Sequence, residues 1–473
     1  MNIPKHWELT TLGKVAVWGS GGTPNRSNSA FYGGSIPWIK TGDLNDSVIY
    51  EASEFITELG LAKSSAKIFP KGAVGIAMYG ATIGKTAMFG IDAATNQACA
   101  VAQAREFVSN HFLHYYLKSQ KEAFIEKGKG GAQPNISQAV LKEHPFPLPP
   151  LAEQKRIVAK LDEAFKHLET LKAKLERIPK LLKKFRQTVL THAVTGKLTE
   201  EWRKGKQLES ALNTILSNRR NYYQEKLRGS TQGGKKPRKP DESAFERFEL
   251  GCTYLFPECW AISNLKNIAD FITDGEHATP KRTETGYYLL SARNVQDGYI
   301  SLEKVDYVPE DEYERIRMRC NPEANDILIS CSGTVGRVSI VPENLKFVMV
   351  RSAALLKLQS NPEIAKYVEF ALRSDIGQSQ ISRLQKSTAQ SNIFLGPIGK
   401  IVIPLPPSEE IEEIIGRVQT LFTKADMIAQ QYKELRVKID RLPQTLLAKA
   451  FRGELIAQEE TYAESLIKGL SLL

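Results

Sequence analysis

One glycine-rich stretch is similar to a phosphate-binding loop. Residues 80–86 read Gly-Ala-Thr-Ile-Gly-Lys-Thr and lack only the first glycine of the G-x-x-x-x-G-K-[ST] pattern, because Tyr79 stands at that position. Such a loop needs its lysine on the phosphates and its hydroxyl on Mg²⁺. The related stretch at 332–338, Ser-Gly-Thr-Val-Gly-Arg-Val, has lost the Lys-Thr pair. The pattern therefore favours a tight turn between strands that presents a basic residue, and a nucleoside triphosphatase is the weaker alternative.

Other familiar catalytic patterns are weak. His111 and His114 stand three residues apart, but no acidic residue is close enough to complete an obvious zinc site, so we expect surface histidines on a helix. Five cysteines without a Cys-x-x-Cys pair favour neither a disulfide framework nor a zinc site. We find no Asn-Pro-Pro-aromatic tetrapeptide of a methyltransferase and no persuasive cluster of nuclease carboxylates. A catalytic triad assembled by the fold stays open.

The chain is basic, with 64 lysines and arginines against 53 acidic residues, a net charge of +11 and a pI of about 9.2. This charge suggests a polyanionic partner, most often nucleic acid, and a merely basic surface is the alternative. No apolar run approaches the ~18 residues of a membrane span, and the N-terminus lacks the apolar core of a signal peptide. These features predict a cytoplasmic protein without a membrane partner.

Polar side chains in glycine-flanked loops are the candidates for contacts with DNA. Arginine and lysine can bond guanine, and asparagine and glutamine can bond adenine, through paired contacts in the major groove. In the first half of the chain the candidates are Lys40, Thr41, Tyr79, Lys85, Lys127, Lys129, Gln133 and Asn135. In the second half they are Arg293, Asn294, Arg337, Arg351, Lys386, Gln390 and Asn392. Two of these pairs recur in both halves, Gln133/Asn135 and Gln390/Asn392, which fits a structural or phosphate contact better than sequence reading.

The segment that must position these loops occurs twice in the sequence. Residues 135–198 and 392–455 share Asn-Ile, Pro-Leu-Pro-Pro, a heptad segment, Gln-Thr and Gly-x-Leu, always 257 residues apart. Apolar residues spaced alternately by four and three put one seam on each helix, which predicts that the two helices pair as a coiled coil. The seam includes Ile157, Leu161, Leu168, Leu171, Leu175, Ile414, Val418, Ile428, Leu435 and Ile439.

Each predicted helix carries a stop signal and a defect. Gly196 and Gly453 are placed to end the helices, because glycine adopts the left-handed conformation that terminates a helix. Pro179 and Pro443 should each kink or divide the helix that contains them. If the halves are related by a pseudo-twofold axis, the helices run antiparallel.

The landmarks divide the chain into six segments with an overall α+β fold. Each of two globular domains of mixed α/β character is followed by a long helical segment, and the second domain resembles the first in outline while its loops differ. We expect one helix over Phe112–Ile125. The segments are domain 1–146, helical spacer 147–198, basic linker 199–250, domain 251–403, helical spacer 404–455 and tail 456–473. The linker is rich in lysine, arginine and glycine, and it is more typical of a solvated arm than of a phosphate contact.

The doubled layout resembles the specificity subunit of a type I DNA restriction–modification enzyme over nearly the whole chain. The resemblance rests on Asn135-Ile136, Pro147–Pro150 and their repeats at Asn392-Ile393 and Pro404–Pro407. It implies two target-recognition domains that each read one half of a split, asymmetric DNA sequence. It also implies antiparallel helices that set the spacer and hold the partner subunits.

Further expectations follow from this resemblance. The partners would be two modification subunits, which use S-adenosylmethionine to methylate adenine, and two restriction subunits, which use ATP and Mg²⁺. The chain itself would have no catalytic residue and no cofactor. The competing hypotheses are a coiled-coil DNA-binding scaffold without base reading, and an enzyme such as an NTPase or nuclease. The recognised bases and the spacer length do not follow from the sequence, because they depend on loop geometry and DNA shape.

Overall fold

The computed structural model describes residues 3–128, 135–230, 237, 239, 255–386 and 392–456. They belong to two compact units, one within residues 1–176 and 432–473 and the other within residues 177–431. Each unit therefore combines one globular domain with a piece of each helical segment. The prediction of an α+β fold is confirmed.

The first unit begins with a domain of short strands and helices. Its strands are β1 (Glu8–Thr11), β2 (Ala16–Ser20), β3 (Tyr32–Ile39), β4 (Val48–Ile49), β5 (Glu54–Ile56), β6 (Ile68–Phe69), β7 (Val74–Ala77), β8 (Thr86–Phe89), β9 (Ala93–Thr95), β10 (Cys99–Ala104) and β11 (Pro145–Leu148). Its helices are α1 (Leu12–Val15), α2 (Glu58–Ala62), α3 (Asn110–Ser119), α4 (Lys121–Lys127), α5 (Gln138–Glu143) and α6 (Leu151–Leu175).

Two sheets build this domain. The larger has the order β2-β10-β7-β8-β4, and the smaller has the order β5-β3-β9-β6 with β3 and β9 parallel. Along β7, Val74 and Ile76 belong to one buried cluster, whereas Ala77 belongs to another. Burial on both faces of a sheet removes the usual alternation of apolar and polar residues. This explains the uninterrupted apolar run at 73–78.

The first domain packs on its helices through aromatic side chains. Strand β1 pairs with β11, whose Pro-Leu end leads directly into α6. Phe112 and Tyr116 of α3 lie edge-on to Phe451, with ring centroids 5.1 Å apart in both pairs. Helix α6 and the last part of the 44-residue helix Ser408–Phe451 run antiparallel. Lys172 bonds Asp440 at 3.4 Å, and Glu176 bonds Arg436, four residues earlier, at 3.6 Å.

The second unit has a longer set of elements. Its helices are α7 (Ile178–Val194), α8 (Glu200–Arg203), α9 (Leu212–Ser230), α10 (Leu265–Ile268), α11 (Glu310–Arg317), α12 (Ala365–Arg373), α13 (Asp375–Lys386), α14 (Leu395–Gly399) and the first part of α15 (Ser408–Phe451). Its strands are β12 (Ala261–Asn264), β13 (Phe271–Asp274), β14 (Tyr287–Leu290), β15 (Val295–Gln296), β16 (Tyr299–Ile300), β17 (Asp306–Val308), β18 (Ile327–Ser330), β19 (Val338–Ile340), β20 (Phe347–Met349), β21 (Ala353–Lys357) and β22 (Val402–Leu405).

The strand order of the second domain repeats that of the first. Its sheet β13-β21-β18-β19 corresponds to β2-β10-β7-β8, and its sheet β17-β14-β20 corresponds to β5-β3-β9. The parallel pair recurs as β14 and β20, and the terminal ribbon recurs as β12 and β22. The two domains therefore share one topology, although most of their residues differ.

A buried glutamate joins each domain to its helix at the same repeated position. The Trp260 indole N–H donates to Glu410 Oε2 at 2.8 Å, and the Trp7 indole donates to Glu153 Oε1 at 3.1 Å. Both carboxylates are completely buried. Their remaining hydrogen-bond partners differ. Glu410 also accepts from Thr199 (2.7 Å) and from Arg203, whereas Glu153 Oε2 lies 2.9 Å from His6 Nε2.

In the second unit, α7 also runs antiparallel to α15. Arg186 bonds Asp426 at 2.7 Å, and Arg417, earlier in α15, donates to the carbonyl of Leu198 beyond the end of α7 at 2.9 Å. The seam is buried where the helices meet the domains, as at Ile157 and Ile414, and it is also buried at Leu168, Leu175 and Ile439. Other predicted seam residues are largely exposed in their units, namely Leu171, Ile428 and Leu435.

The helix signals have mixed outcomes. Gly196 and Gly453 have φ values of 76° and 75°, which confirms their role as stop residues. The division at Pro179 is confirmed, because α6 ends at Leu175 and α7 begins at Ile178. Pro443 does not divide its helix, since α15 continues through this residue, and a kink there stays a prediction.

Three local predictions need correction. The helix expected over Phe112–Ile125 is two helices, α3 and α4, that meet at Gln120. Part of the segment predicted as a linker forms α9, where Arg219 is buried and donates to the carbonyls of Asn267 and Lys266. His114 is not a surface residue, because only 5% of it is exposed. This burial lowers the pKa of its imidazole to about 4.

Candidate nucleic-acid interface

A polar cavity of about 420 Å³ opens in the second unit, where several loops leave the sheet β13-β21-β18-β19. Its lining comes from the end of β13 and the loop beyond it, the loops after β18 and β20, and the segment before α14. The residues concerned are Asp274, His277, Cys331, Ser332, Arg351, Ser352, Asn392, Ile393, Phe394 and Leu395. The cavity thus combines positive, negative, neutral polar and apolar groups.

The loop after β13 is held rigidly against β20. The Glu276 amide donates to the Met349 carbonyl at 2.8 Å, and a Cβ added to Gly275 would lie only 2.0 Å from that carbonyl oxygen. The Glu276 carboxylate accepts from the amides of Ala278 and His277 and from Arg315, and these contacts lower its pKa. Only glycine permits this close approach, and the buried carboxylate fixes the backbone that carries His277.

The charged groups at the mouth of the cavity are unevenly paired. Asp274 Oδ2 lies 2.7 Å from His277 Nε2, and Asp274 Oδ1 accepts from Arg319 at 3.2 Å. Arg351 is exposed, and its guanidinium makes no hydrogen bond or ion pair within the described part of the chain. An exposed guanidinium without a carboxylate partner can donate to an incoming acceptor without breaking an existing contact.

The loop in the first unit that is similar to a phosphate-binding loop is a turn between β7 and β8. Gly80 and Gly84 have φ values of 66° and 76°, and the matching Gly333 and Gly336 have 67° and 89°. A nucleotide-binding loop leads from a strand into a helix, whereas this turn leads from strand to strand. Lys85 and its counterpart Arg337 follow these glycines. The prediction of a tight turn between strands is confirmed.

The corresponding loop ends of the first unit carry neutral polar groups. The Thr23 hydroxyl donates to the Oε1 atom of Gln97, and both residues lie beside the smaller sheet. Tyr79 is 45% exposed and forms a backbone bridge with Asn135. Lys40, by contrast, bonds Glu54 at 2.5 Å.

The structure brings together only some of the predicted DNA-contact residues. Arg351 and Asn392 line one cavity, and Tyr79 adjoins Asn135. Lys85, Thr41 and Arg337 are partly exposed. Arg293 is half-exposed and paired with Asp306 at 2.8 Å. Lys129, Gln133, Gln390 and the side chain of Lys386 lie outside the described residues.

One predicted contact residue has a structural role instead. Asn294 is completely buried, accepts from the amide and hydroxyl of Ser291, and donates to the Ser301 carbonyl. Its amide therefore cannot reach a base, and the prediction that Asn294 contacts DNA is wrong. Lys127 is exposed, and its ammonium lies 3.2 Å from His144 Nδ1.

Sequence reasoning missed the residues that surround Arg351 and their counterparts. Asp274, His277 and Ser332 in the second unit, and Thr23 and Gln97 in the first, were not among the candidates. One signal was present in the sequence, because Gly19–Gly22 and Thr273–His277 occupy matching positions with unlike residues. Divergent loops on a repeated scaffold are where recognition is expected.

Comparison with known proteins accounts for this arrangement. The family model described as "Type I restriction modification DNA specificity domain" matches residues 4–180 and again residues 257–437. The chain belongs to this family. As a type I specificity subunit it recognises the DNA target of a restriction–modification system, and the readings as an NTPase or as a scaffold without base reading are not supported.

Individual relatives agree over most of the chain. The EcoKI specificity subunit of Escherichia coli K12 is 26% identical over an alignment of 485 positions, which spans 99% of this chain and 93% of that subunit. The EcoBI specificity subunit of Escherichia coli is 28% identical over 379 residues, which cover 79% of this chain and 71% of that subunit.

Solved structures share the fold. The crystal structure of an HsdS subunit from Thermoanaerobacter tengcongensis matches with a TM-score of 0.57 at 19% identity, covering 96% of this chain and 98% of that chain. A chain from a study of complex assembly and conformational transition in a type I R-M system matches with a TM-score of 0.59 at 18% identity, covering 96% and 100%.

None of the helices in the described residues has both the length and the apolar character needed to cross a membrane. No cluster of three or more histidine, cysteine, aspartate or glutamate side chains suited to a metal ion occurs among these residues.

Proposed function

We propose that this specificity subunit reads a split, asymmetric DNA sequence, with one half-site recognised by the domain within residues 1–146 and the other by the domain within residues 251–403. The observation that carries this proposal is a shared strand topology with unlike side chains at the loop ends. A shared frame places both domains on DNA in the same way, and unlike loops read different bases. The target therefore has two dissimilar halves.

The contacts divide into positioning and reading groups. Lys85 and Arg337 keep a positive charge at the same turn in both domains, which suits a phosphate contact without sequence information. The cavity around Arg351 differs from its counterpart in the first domain, which suits base edges in a groove. This division supports recognition by loops and orientation by the repeated frame.

The chemistry belongs to partner subunits in this proposal. Two modification subunits carry S-adenosylmethionine and methylate adenine, and two restriction subunits use ATP and Mg²⁺ to translocate and cleave DNA. The complex works in the cytoplasm, and this chain supplies no catalytic residue and no cofactor. Adenine in a duplex must be flipped out before it is methylated, so the specificity subunit determines which adenine the modification subunit reaches.

A selection experiment tests the proposed function. The purified chain with its modification subunits is incubated with randomised duplexes, and bound DNA is sequenced. We expect one split motif, with affinity that falls steeply as salt rises, by about 0.9 logarithmic units per phosphate contact for each tenfold rise. The modification subunits alone are the control. Binding that ignores sequence at every spacing would contradict the proposal.

The paired helices should set the spacing between the half-sites. Lys172 faces Asp440, so deleting residues 169–175 together with 437–443 removes facing heptads and preserves the seam. Seven residues correspond to about 10 Å of helix, or about three base pairs. We expect the preferred spacer to shorten by up to that amount while both half-sites stay the same, as measured by the same selection. A changed half-site would contradict this role.

A further inference from the structure

Four backbone hydrogen bonds recur at matching positions of the two domains and align their loop ends residue by residue. In the first domain they join Gly22 to Thr95 (2.9 Å), Met78 to Ala98 (2.9 Å), Asn96 to Ile39 (3.1 Å) and Ile136 to Met78 (2.9 Å). In the second they join Glu276 to Met349 (2.8 Å), Cys331 to Ser352 (2.8 Å), Val350 to Leu290 (3.0 Å) and Ile393 to Cys331 (3.0 Å).

This alignment places Gln97 and Arg351 at the same position. Each follows the last residue of its strand, Thr95 or Met349, by two residues and precedes the residue whose carbonyl accepts the next repeated bond. Both side chains are exposed. The two domains therefore present an amide and a guanidinium from one equivalent point of the frame.

Close packing beneath this point fixes the backbone in both domains. A Cβ on Gly21 would lie 1.8 Å from the Thr95 carbonyl oxygen, and one on Gly275 would lie 2.0 Å from the Met349 carbonyl oxygen. The loop that carries Thr23 and the loop that carries His277 are consequently pressed against the strand that leads to Gln97 or Arg351. A backbone that is already fixed lowers the cost of binding, because only the side chain then has to be ordered.

The chemistry of each side chain indicates a different base. The Thr23 hydroxyl donates to Gln97 Oε1, which orients the amide and leaves Nε2 as a donor and a second lone pair as an acceptor. An oriented amide of this kind matches the N6 and N7 edge of adenine, whereas a guanidinium matches the O6 and N7 edge of guanine.

A phosphate contact accounts less well for this position. Backbone phosphates are identical along DNA, so a phosphate contact on a repeated frame should keep its charge, as Lys85 and Arg337 do. Position 97 carries a neutral group and position 351 a cation. The change in charge at one equivalent point fits base reading.

We propose that Gln97 and Arg351 are corresponding specificity-determining residues, with Gln97 reading an adenine in one half-site and Arg351 reading a guanine in the other. The proposal rests on the proposed function, since it assigns residues to the two half-sites. Thr23 is a positioning residue for Gln97. Asp274 and His277 shape the surroundings of Arg351.

The test uses the complete complex of chain and modification subunits with randomised duplexes. Arg351→Gln removes the guanidinium, and Arg351→Lys keeps the charge but loses the paired geometry. Gln97→Arg makes the reciprocal change in the first domain. Arg317→Gln is the matched control, because Arg317 is partly exposed and bonds Glu314 on α11, outside the cavity.

We expect both Arg351 variants to reduce discrimination at a single guanine of one half-site by roughly 5- to 150-fold, with the other half-site unchanged. Gln97→Arg should alter one adenine position in the opposite half-site, and Arg317→Gln should alter neither. An Arg351→Gln effect that is uniform across sequences, lowers the salt slope by about 0.9 and is rescued by Arg351→Lys would overturn the proposal. An unchanged motif in the Arg351 variants would also overturn it.

The two levels of inference fail in different ways. If the wild-type complex selects no split motif, the proposed function fails before any variant is compared. If the wild-type complex selects such a motif and the Arg351 and Gln97 variants select the same one, only the assignment of these residues fails. Retained binding to the unchanged half-site reports that each variant is folded.

Discussion

Replacing residues 1–146 with the matching domain of a relative that has a different target is expected to replace one half-site completely and leave the other half-site and the spacing unchanged. The first domain has its own sheets, and its loop ends carry Thr23, Tyr79 and Gln97. The second domain builds its cavity from residues of its own unit. Base reading should therefore move with the exchanged domain.

The exchange must preserve the packing of the domain on its helices. Phe112 and Tyr116 contact Phe451, and the Trp7 indole donates to Glu153. A donor domain should carry equivalent aromatic residues at these points. The matched control exchanges residues 147–198, which should alter neither half-site. DNA methylation by the complex that contains the exchanged chain is measured on duplexes with each combination of half-sites. A change in both half-sites would contradict the claim that each domain reads its own half-site.

Removing the buried carboxylate of Glu410 is expected to destabilise the second unit strongly. Glu410 is completely buried and accepts hydrogen bonds from Trp260, Thr199 and Arg203. Glu410→Ala leaves a largely buried guanidinium without its counter-charge and two other donors without an acceptor. Breaking a buried ion pair in this way costs about 3–5 kcal/mol in the free energy of unfolding. Urea unfolding followed by circular dichroism measures the loss.

Glu153→Ala is the matched comparison in the first unit. Glu153 is equally buried, but its partners are the Trp7 indole and the His6 ring, and neither brings a guanidinium into the contact. Leaving a buried neutral donor such as the Trp7 indole N–H without its acceptor costs about 1–3 kcal/mol, so Glu153→Ala should be the milder change. Glu410→Gln keeps an acceptor for Trp260 and should fall between wild type and Glu410→Ala. A Glu410→Ala chain within about 0.5 kcal/mol of wild type, as for a surface substitution, would refute this account of the contact.

The repeated frame could be predicted because its signals are local. Spaced apolar residues, Pro-Leu-Pro-Pro and the stop glycines act within one helix or one turn, and Gly196 and Gly453 adopt the expected conformation. The tight turn at Gly80 and Gly84 was likewise encoded by adjacent residues. The effect of Pro443 was not, because an interior proline can either kink or break a helix, and α15 continues through this residue.

The contact residues could not be assigned in the same way, because tertiary hydrogen bonds decide their roles. Asn294 is of a residue type that can bond a base edge, but in the fold its side-chain amide caps a turn. Arg219 lies in a run of basic residues, yet its guanidinium is buried and donates to the carbonyls of Asn267 and Lys266. Gln97 has no marker in the sequence, and only the repeated bonds around Thr95 and Met349 align it with Arg351.

The most direct test of the central claim is a genome-wide map of methylated adenines in cells that carry this chain and its partner subunits. Two unlike readers on a repeated frame predict one motif, made of two different half-sites separated by a constant number of unspecified bases. Methylation at a single uninterrupted sequence, at two identical half-sites, or without any preferred sequence would contradict the claim.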